Sequence, residues 1–169
     1  MNSITITDMS GARPEHSVVI TNFVSVIRPQ LKNSTCFVFP DNVQYKWLLD
    51  DGSERIVIPD ASINCRVKSR RGNNFLDAPR LVMEVISPST EKYDRGEKKD
   101  IYCQQEIDEY WIVDWRKRSV EIYVLDYEDE NPQYYLYNTI TEQNKEMLKI
   151  IHFPHIHITF EDLFYEVEL

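Results

Sequence analysis

The sequence of 169 residues lacks several features that would each assign it to a class of protein. No window approaches the run of about 18 uncharged apolar residues that crosses a membrane, so we expect no membrane partner. Residues Met1–Thr5 contain no basic segment followed by a long apolar stretch, which argues against a secretory signal. These absences predict a cytoplasmic location.

Cysteine is scarce, and the chain has no pattern typical of a cysteine-based framework. Cys36, Cys65 and Cys103 are odd in number, widely spaced and without a CxxC pair. They predict reduced thiols in a packed interior rather than a disulfide framework or a zinc site. The length fits one domain over residues 1–169, which can bury about two thirds of its unfolded surface without disulfides.

Positive charge is also scarce, because the net charge is -9. This argues against a general nucleic-acid coat, since phosphate binding relies on Lys and Arg. However, residues 66–118 contain 12 Lys and Arg against 10 Asp and Glu, whereas residues 119–169 contain 2 against 11. A phosphate-facing surface is therefore expected in the middle third, near Arg66, Lys68, Arg70, Arg71, Lys92 and Arg95. Of these, Arg70, Arg71 and Arg95 are expected to contact phosphate.

Hydrophobic periodicity and turn residues predict an α/β domain with a mixed central β-sheet flanked by helices. Helices are predicted over residues 14–31 and 91–106, with a short one beginning at Thr159 or Glu161 and with Thr90 capping the second. Strands are predicted over 36–39, 43–48, 54–58, 62–67, 80–86, 109–114, 119–127, 134–140 and 147–153. Residues 68–79 and 126–132 have the composition of loops.

The main feature that is present is a set of acids in apolar surroundings. Asp60 follows the run Ile56–Pro59, and Glu84 interrupts the run Leu81–Ile86. An ionised carboxylate in a buried strand costs several kcal/mol unless a cation meets it. Two such acids could converge on one metal ion with oxygen ligands, which is the ligation that Mg²⁺ prefers. The alternatives are a turn-forming Asp60 and a structural ion pair or a half-solvated edge strand at Glu84.

The helix predicted after Glu84 supplies a positive partner. Asp94, Lys98 and Tyr102 recur at i, i+4 and i+8 and therefore lie on one face of the helix. Taken alone, Asp94 and Lys98 are most simply an exposed salt bridge. Following a strand with a buried acid, the same stripe places Lys98 where Glu84 needs a cation.

Several motifs together resemble one known family. They are the Pro59-Asp60 dipeptide, the segment from Glu84 to Thr90 (EVISPST), the Asp94–Tyr102 stripe and the EYWIVD segment over residues 109–114. In combination they resemble the Uma2 family of restriction endonuclease-like proteins, which belongs to the PD-(D/E)XK nuclease superfamily. The resemblance covers the chain from about Pro14 to its C-terminus.

The resemblance implies a restriction endonuclease-like fold and a set of site residues. Asp60 and Glu84, with the backbone carbonyl of Val85, would bind Mg²⁺, for which Mn²⁺ is a substitute. The superfamily lysine usually lies two residues after the acid, a position that Ile86 occupies here. Lys98 on the following helix would take that role, with Lys99 as the nearest alternative. Supporting residues would be Asp94 and Tyr102, which would position Lys98, and His16 near the site.

The expected function is therefore Mg²⁺-dependent hydrolysis of phosphodiester bonds in DNA. The alternative is a catalytically inactive nuclease-fold module for protein or nucleic-acid binding or for assembly. The acidic net charge and the displaced lysine favour this alternative. Nucleic acid, DNA in particular, is the expected partner, together with a second copy of the chain in a homodimer.

Overall fold

A computed structural model describes residues 13–168 as an α/β structure with two β-sheets. Its helices are α1 (Pro14–Ile27), α2 (Glu91–Arg95), α3 (Glu97–Gln104) and α4 (Phe160–Leu163). Its strands are β1 (Phe37–Phe39), β2 (Gln44–Leu48), β3 (Glu54–Val57), β4 (Ala61–Asn64), β5 (Arg70–Arg71), β6 (Asn74–Phe75), β7 (Leu81–Val85), β8 (Glu109–Asp114), β9 (Ser119–Glu128) and β10 (Asn131–Ile140). Single 3-10 turns occupy Arg28–Leu31 and Lys145–Met147.

The larger sheet has the strand order β1-β4-β7-β8-β9-β10. Its β7–β8 pair is parallel and its other pairs are antiparallel, which confirms the predicted mixed sheet. A parallel pair needs a crossover of a dozen or more residues, and α2 and α3 lie in that crossover. Every residue of β7 and β8 is buried, as expected for strands covered on both faces.

Two hydrophobic clusters cover opposite faces of this sheet. One contains residues of α1 and α4, with Phe23 packed edge-on against Trp111 at a centroid distance of 5.9 Å. The other contains residues of α3 and of the smaller sheet, whose strand order is β3-β2-β6-β5. Tyr45, Phe75 and Tyr102 belong to this second cluster. The smaller sheet therefore packs on the same side of the central strands as the crossover helices.

Most predicted elements form close to their predicted bounds. The first predicted helix is α1 followed by a 3-10 turn that ends at Leu31. Strands β2 and β3 form the first predicted hairpin, and β8 and β9 form the second. The short C-terminal helix is α4, which Thr159 caps through reciprocal hydrogen bonds with Asp162. Strong periodicity and turn chemistry thus identified the elements that local sequence determines.

Gly96 divides the helix predicted over residues 91–106 into α2 and α3. Its backbone (φ −109°, ψ −102°) is not helical, and a Cβ there would lie 3.0 Å from the Lys92 carbonyl oxygen. The expected cap is also wrong, because Thr90 makes no side-chain hydrogen bond to the start of α2. Its hydroxyl instead accepts a hydrogen bond from the N–H of Ser87 at 3.1 Å.

Two segments predicted as loops contain strand residues. β5 and β6 form a small antiparallel hairpin within residues 68–79. β9 and β10 extend into residues 126–132 and leave a turn in which Asp129 and Glu130 have positive φ. Their pairing with neighbouring strands decided these conformations, which composition alone could not indicate. The strand predicted over 62–67 is likewise shorter, because β4 ends at Asn64.

The strand predicted over residues 147–153 is wrong, because that segment is a 3-10 turn followed by irregular chain. The backbone of this segment forms hydrogen bonds with a side chain instead of with a neighbouring strand. The N–H groups of Ile151 and His152 donate to the carboxylate of Glu109 at 3.1 and 3.0 Å. Glu109 is fully buried and also accepts a hydrogen bond from Trp111 Nε1 at 2.8 Å. A buried acid, rather than a neighbouring strand, therefore holds this segment.

Cys36 and Cys65 form a disulfide, which corrects the prediction of reduced thiols. Phe37 and Asn64 form the last pair of the antiparallel β1–β4 ladder. Cys36, which precedes β1, and Cys65, which follows β4, therefore lie opposite each other. Spacing along the chain could not show this, because the register of two distant strands creates the contact. Cys103 remains a free cysteine. Within residues 13–168, no helix is both long and apolar enough to cross a membrane.

We predict that Cys36→Ser lowers the free energy of unfolding under oxidising conditions. The disulfide closes a loop with a sequence separation of 29 residues, and chain entropy predicts a stabilisation of about 3–4 kcal/mol. Urea denaturation with and without a reductant measures the difference. Cys103→Ser is the control and should have a much smaller effect. Equal stability of reduced and oxidised wild-type protein would contradict the prediction.

Candidate active site

The two acids singled out in the sequence lie side by side at one end of β4 and β7. The chain crosses from the smaller to the central sheet at Asp60, immediately before β4 begins. The register then places Ala61 opposite Met83. The N–H of Asp60 donates to Glu84 Oε2 at 3.4 Å, and the N–H of Val85 donates to Asp60 Oδ2 at 2.8 Å. Strand pairing thus joins acids that are 24 positions apart.

Lys98 reaches this pair from α3. Its Nζ lies 2.7 Å from Glu84 Oε1 and 3.8 Å from Asp94 Oδ1. It also lies 3.5 Å from the carbonyl oxygen of Ile58, the residue that follows β3. Lys99 is directed elsewhere, with Nζ 3.8 Å from the centre of an aromatic ring on β9. Lys98 is therefore the lysine that faces the acids.

Tyr102 and Asp94 complete a buried polar cluster. The hydroxyl of Tyr102 donates to Glu84 Oε1, the oxygen that also binds Lys98. Tyr102 was expected to position Lys98, but its direct contact is with Glu84. Asp94 is 3% exposed, and its backbone carbonyl accepts a hydrogen bond from the Tyr110 hydroxyl at 2.8 Å. The salt bridge between Asp94 and Lys98 is therefore not the exposed pair of the simplest alternative.

His16, at the start of α1, contacts the other acid. Its Nε2 lies 3.1 Å from Asp60 Oδ2, the oxygen that also accepts from Val85. Burial raises the pKa of Asp60, but the His16 hydrogen bond and charge together with Lys98 lower it more, so the net pKa falls. Burial lowers the pKa of His16, but its bond to Asp60 outweighs this and the net pKa rises.

Negative charge is crowded around Lys98. Burial raises the pKa of Glu84 well above its usual value, and Asp60 and Asp94 add to this effect against the opposing charge of Lys98. Burial also raises the pKa of Asp94. For Lys98, burial lowers the pKa, but attraction to all three carboxylates raises it above its ordinary value. Lys98, together with His16 beside Asp60, therefore faces three acids, and a further cation would favour the ionised form of Glu84.

The donor atoms fit a hard cation with oxygen ligands. In the described part of the chain, Asp60 Oδ1 accepts no hydrogen bond, and Glu84 Oε2 accepts only the long one from Asp60. No group of three or more His, Cys, Asp or Glu side chains within residues 13–168 is arranged to hold a metal ion. A metal ion would thus have two carboxylates, backbone carbonyl oxygen and water as ligands. Mg²⁺ accepts such a set because it retains several waters.

The arginines expected to contact phosphate lie in two different environments. Arg70 and Arg71 are exposed on β5. Arg95 is instead held by two carboxylates, with Nε 3.1 Å from Glu91 and Nη1 2.6 Å from Glu121. Its guanidinium group is therefore already paired, and the structure does not bring it together with the other two.

A comparison with known families identifies the chain. Residues 5–158 match the Uma2 family, whose description is "Putative restriction endonuclease". This protein belongs to the Uma2 family. The match spans most of the chain, including every strand and helix that contributes to the candidate site.

Two individual proteins are similar to this Uma2 chain. An uncharacterized protein, slr1290, of Synechocystis sp. (strain ATCC 27184 / PCC 6803 / Kazusa) is 28% identical over 116 residues. The match covers 68% of this chain and 60% of that relative, so it spans less than two thirds of the relative's length. A crystal structure described as a putative nuclease of DUF820 from Anabaena variabilis ATCC 29413 has a TM-score of 0.66 and 19% identity. It covers 90% of this chain and 82% of the other, which shows a shared fold.

The Uma2 site contains groups that the sequence did not indicate. The Ile58 carbonyl near Lys98 has no sequence signal, because every residue carries a backbone carbonyl. The Tyr110 hydroxyl comes from β8, where Tyr110 lies beside Val82 in the parallel register with β7. An aromatic residue in a buried strand gave no sign of a polar role.

We predict that Lys98→Met strongly destabilises the fold, because it leaves Glu84 buried without its cation. Breaking one side of a buried ion pair costs about 3–5 kcal/mol. The double variant Glu84→Gln/Lys98→Met should recover most of that loss. Urea denaturation of both variants measures the difference, with Lys99→Met as the control. Similar losses for Lys98→Met and Lys99→Met would refute the assignment of Lys98 as the partner of Glu84.

Proposed function

We propose that this protein is a Mg²⁺-dependent endonuclease that hydrolyses phosphodiester bonds in DNA, with Mn²⁺ as a substitute. The observation that carries the proposal is the convergence of Asp60, Glu84 and Lys98 at the end of the two adjacent strands β4 and β7. Perturbed ionisable groups of this kind are typical of functional sites. The description of the Uma2 family and of the similar fold as nucleases supports the same chemistry.

In this proposal Asp60 and Glu84 hold the metal, with the Val85 carbonyl as a third oxygen. A bound Mg²⁺ would supply charge stabilisation to the scissile phosphate and acidify a water molecule. Hydrogen bonds to His16 and to the Val85 N–H keep Asp60 Oδ2 engaged and leave Oδ1 for the cation. Lys98 and Tyr102 likewise bind Glu84 Oε1, which leaves Glu84 Oε2 for the cation.

Lys98 supplies the remaining positive charge. Its raised pKa keeps the ammonium protonated, so it donates hydrogen bonds and does not act as a base. From its place beside Glu84 it would orient the attacking water or stabilise the negative charge that develops on the phosphate oxygens. Asp94 would restrain Lys98 through their 3.8 Å contact.

The alternative proposal is an inactive nuclease-fold module that binds protein or nucleic acid or mediates assembly. One observation favours it: Glu84 already has a cation and a hydroxyl donor on Oε1, so its charge is partly compensated without a metal. A lapsed site could retain this pair for stability. Metal binding and cleavage therefore separate the two functions.

We predict that Mn²⁺ raises the melting temperature of the wild-type protein and supports cleavage of supercoiled plasmid DNA. Ligands that bind only the native state stabilise it. Asp60→Asn should lose both effects because it removes a ligand, and it should remain folded because the amide has nearly the same shape and keeps an oxygen that can accept from the Val85 N–H. Asp50→Asn, which changes an exposed acid outside the site, should keep both.

The two readouts separate the outcomes. Metal-dependent stabilisation without cleavage would support the inactive module. Stabilisation and cleavage that persist in Asp60→Asn would remove this site from consideration. Calorimetric titration with Mg²⁺ gives the affinity directly.

We also propose a homodimer that pairs β10 with its own copy. β10 is at one edge of the central sheet, and its residues Asn131–Ile140 include no charged side chain. Tyr135, Leu136 and Tyr137 are about half exposed, at 48%, 52% and 52%. An antiparallel two-fold pairing sets β10 against its own copy, with residue i opposite residue j and j opposite i, so charges of one sign along this strand would face one another. The uncharged strand avoids that repulsion in a molecule of charge -9.

Sedimentation velocity tests this assembly. We predict that the wild-type protein sediments as a dimer and that Leu136→Lys sediments as a monomer, because lysine on an edge strand opposes pairing. Tyr165→Lys is the control, since Tyr165 is 62% exposed but lies outside β10. A wild-type monomer across the accessible concentrations would disprove the dimer.

The cytoplasmic location stays a prediction. It depends on residues Met1–Thr5, which lie outside the described part of the chain. The Cys36–Cys65 disulfide argues against this location, because disulfides persist mainly in oxidising compartments.

A further inference from the structure

We propose that the β5–β6 hairpin and the chain leading into it form the surface that holds the phosphate backbone of a DNA duplex beside the candidate active site. The surface is called the basic segment and comprises residues 66–76. This inference rests on the proposed function, because it takes DNA as the partner. It deepens that function by assigning the residues that bind the substrate outside the reacting centre.

The basic segment differs in charge from the rest of the molecule. It contains Arg66, Lys68, Arg70 and Arg71 and no acidic residue, in a chain of net charge -9. All four residues are exposed. Within residues 13–168, none of the four lies within 4.0 Å of a carboxylate, whereas Arg95 has two such partners. These four cations are thus available to an external polyanion, which is how proteins acquire affinity for nucleic-acid phosphates.

The register of the smaller sheet places Arg71 at the end of that sheet where the chain leads into the site. Val57, Tyr45, Phe75 and Arg70 form one continuous row across its four strands. The pairing directions make β5 run parallel to β3. Arg71 therefore extends beyond this row toward the same end of the sheet at which β3 leads into Asp60.

The spacing of strands gives the distance. Three steps of about 4.8 Å separate β5 from β3, which places Arg70 about 14 Å from Val57 across the sheet. The carbonyl of the next residue, Ile58, lies 3.5 Å from Lys98 Nζ. About 14 Å corresponds to about four base-pair steps along a duplex. A duplex bound at the site is therefore long enough to contact the hairpin as well.

The hairpin is held in a defined conformation. The N–H of Leu76 donates to the Ser69 carbonyl at 3.0 Å, and Gly72 adopts a positive φ of 61° in the turn. The Arg70 guanidinium carbon lies 6.0 Å from the centre of the Phe75 ring, a cation–π arrangement. A two-stranded ribbon of this kind is narrow enough to approach a DNA groove. The cations are thus presented on an ordered element, which reduces the entropy that binding would cost.

Fluorescence anisotropy with labelled duplexes tests the inference. Binding is measured without divalent metal, over several salt concentrations, for two unrelated sequences and for the double variant Arg70→Ala/Arg71→Ala. We expect weaker binding to both sequences and a salt slope shallower by about 2, since each phosphate contact contributes about 0.9. The control Arg28→Ala/Lys32→Ala removes the same charge from exposed residues at the far end of α1. Its slope should stay close to that of the wild type.

Each other outcome overturns the inference. Equal effects of the two double variants would mean that only net charge matters. The absence of wild-type duplex binding at low salt would exclude the surface altogether. Hairpin-dependent binding of polyglutamate as strong as that of the duplex would assign the surface to an acidic protein.

The test is also distinguishable from that of the proposed function. Hairpin-dependent duplex binding without Mn²⁺-dependent cleavage leaves this inference intact and refutes only the nuclease. If the protein cleaves DNA but the hairpin variant binds duplexes as the wild type does, the nuclease proposal stands and this inference is refuted. Circular dichroism of both double variants confirms that they are folded.

Discussion

The pairing of a carboxylate on a fully buried strand with a lysine and a tyrosine is the interaction on which the structure around it depends. Glu84 is 1% exposed, and its neighbours on β7 are apolar. An ionised group in such a place must be paired and hydrogen-bonded. Lys98 and Tyr102, both from α3, provide the charge and the hydroxyl. The crossover helix is thus tied to the central sheet by polar contacts as well as by apolar packing.

The crossover helix is broken at Gly96, which separates Asp94 on α2 from Lys98 and Tyr102 on α3. Lys98 contacts Asp94 across the break, and it contacts Glu84 together with Tyr102. The backbone of Gly96 at the break is not helical (φ −109°, ψ −102°). A glycine meets the geometric need, because a Cβ would crowd the carbonyl of the preceding turn.

Charge is distributed in a way that net charge conceals. The acidic excess lies in residues 119–169, whereas residues 66–76 are basic without any acid. Within the site, three carboxylates surround one lysine, so the local field attracts cations. A phosphate chain would be repelled by these acids alone. The proposed metal and the basic segment would each offset that repulsion, one at the reacting centre and one beside it.

The sequence by itself determined the elements with strong local signals and the identity of the key polar residues. Periodicity located α1, turn chemistry located the β2–β3 hairpin, and the interruption of an apolar run singled out Glu84. Only the tertiary structure decided which of these residues meet. The disulfide, the irregular segment held by Glu109 and the ion pairs of Arg95 depend on strand register and on contacts between distant segments. Such contacts leave no local pattern, because their energy comes from burial and pairing that arise only when the chain is folded.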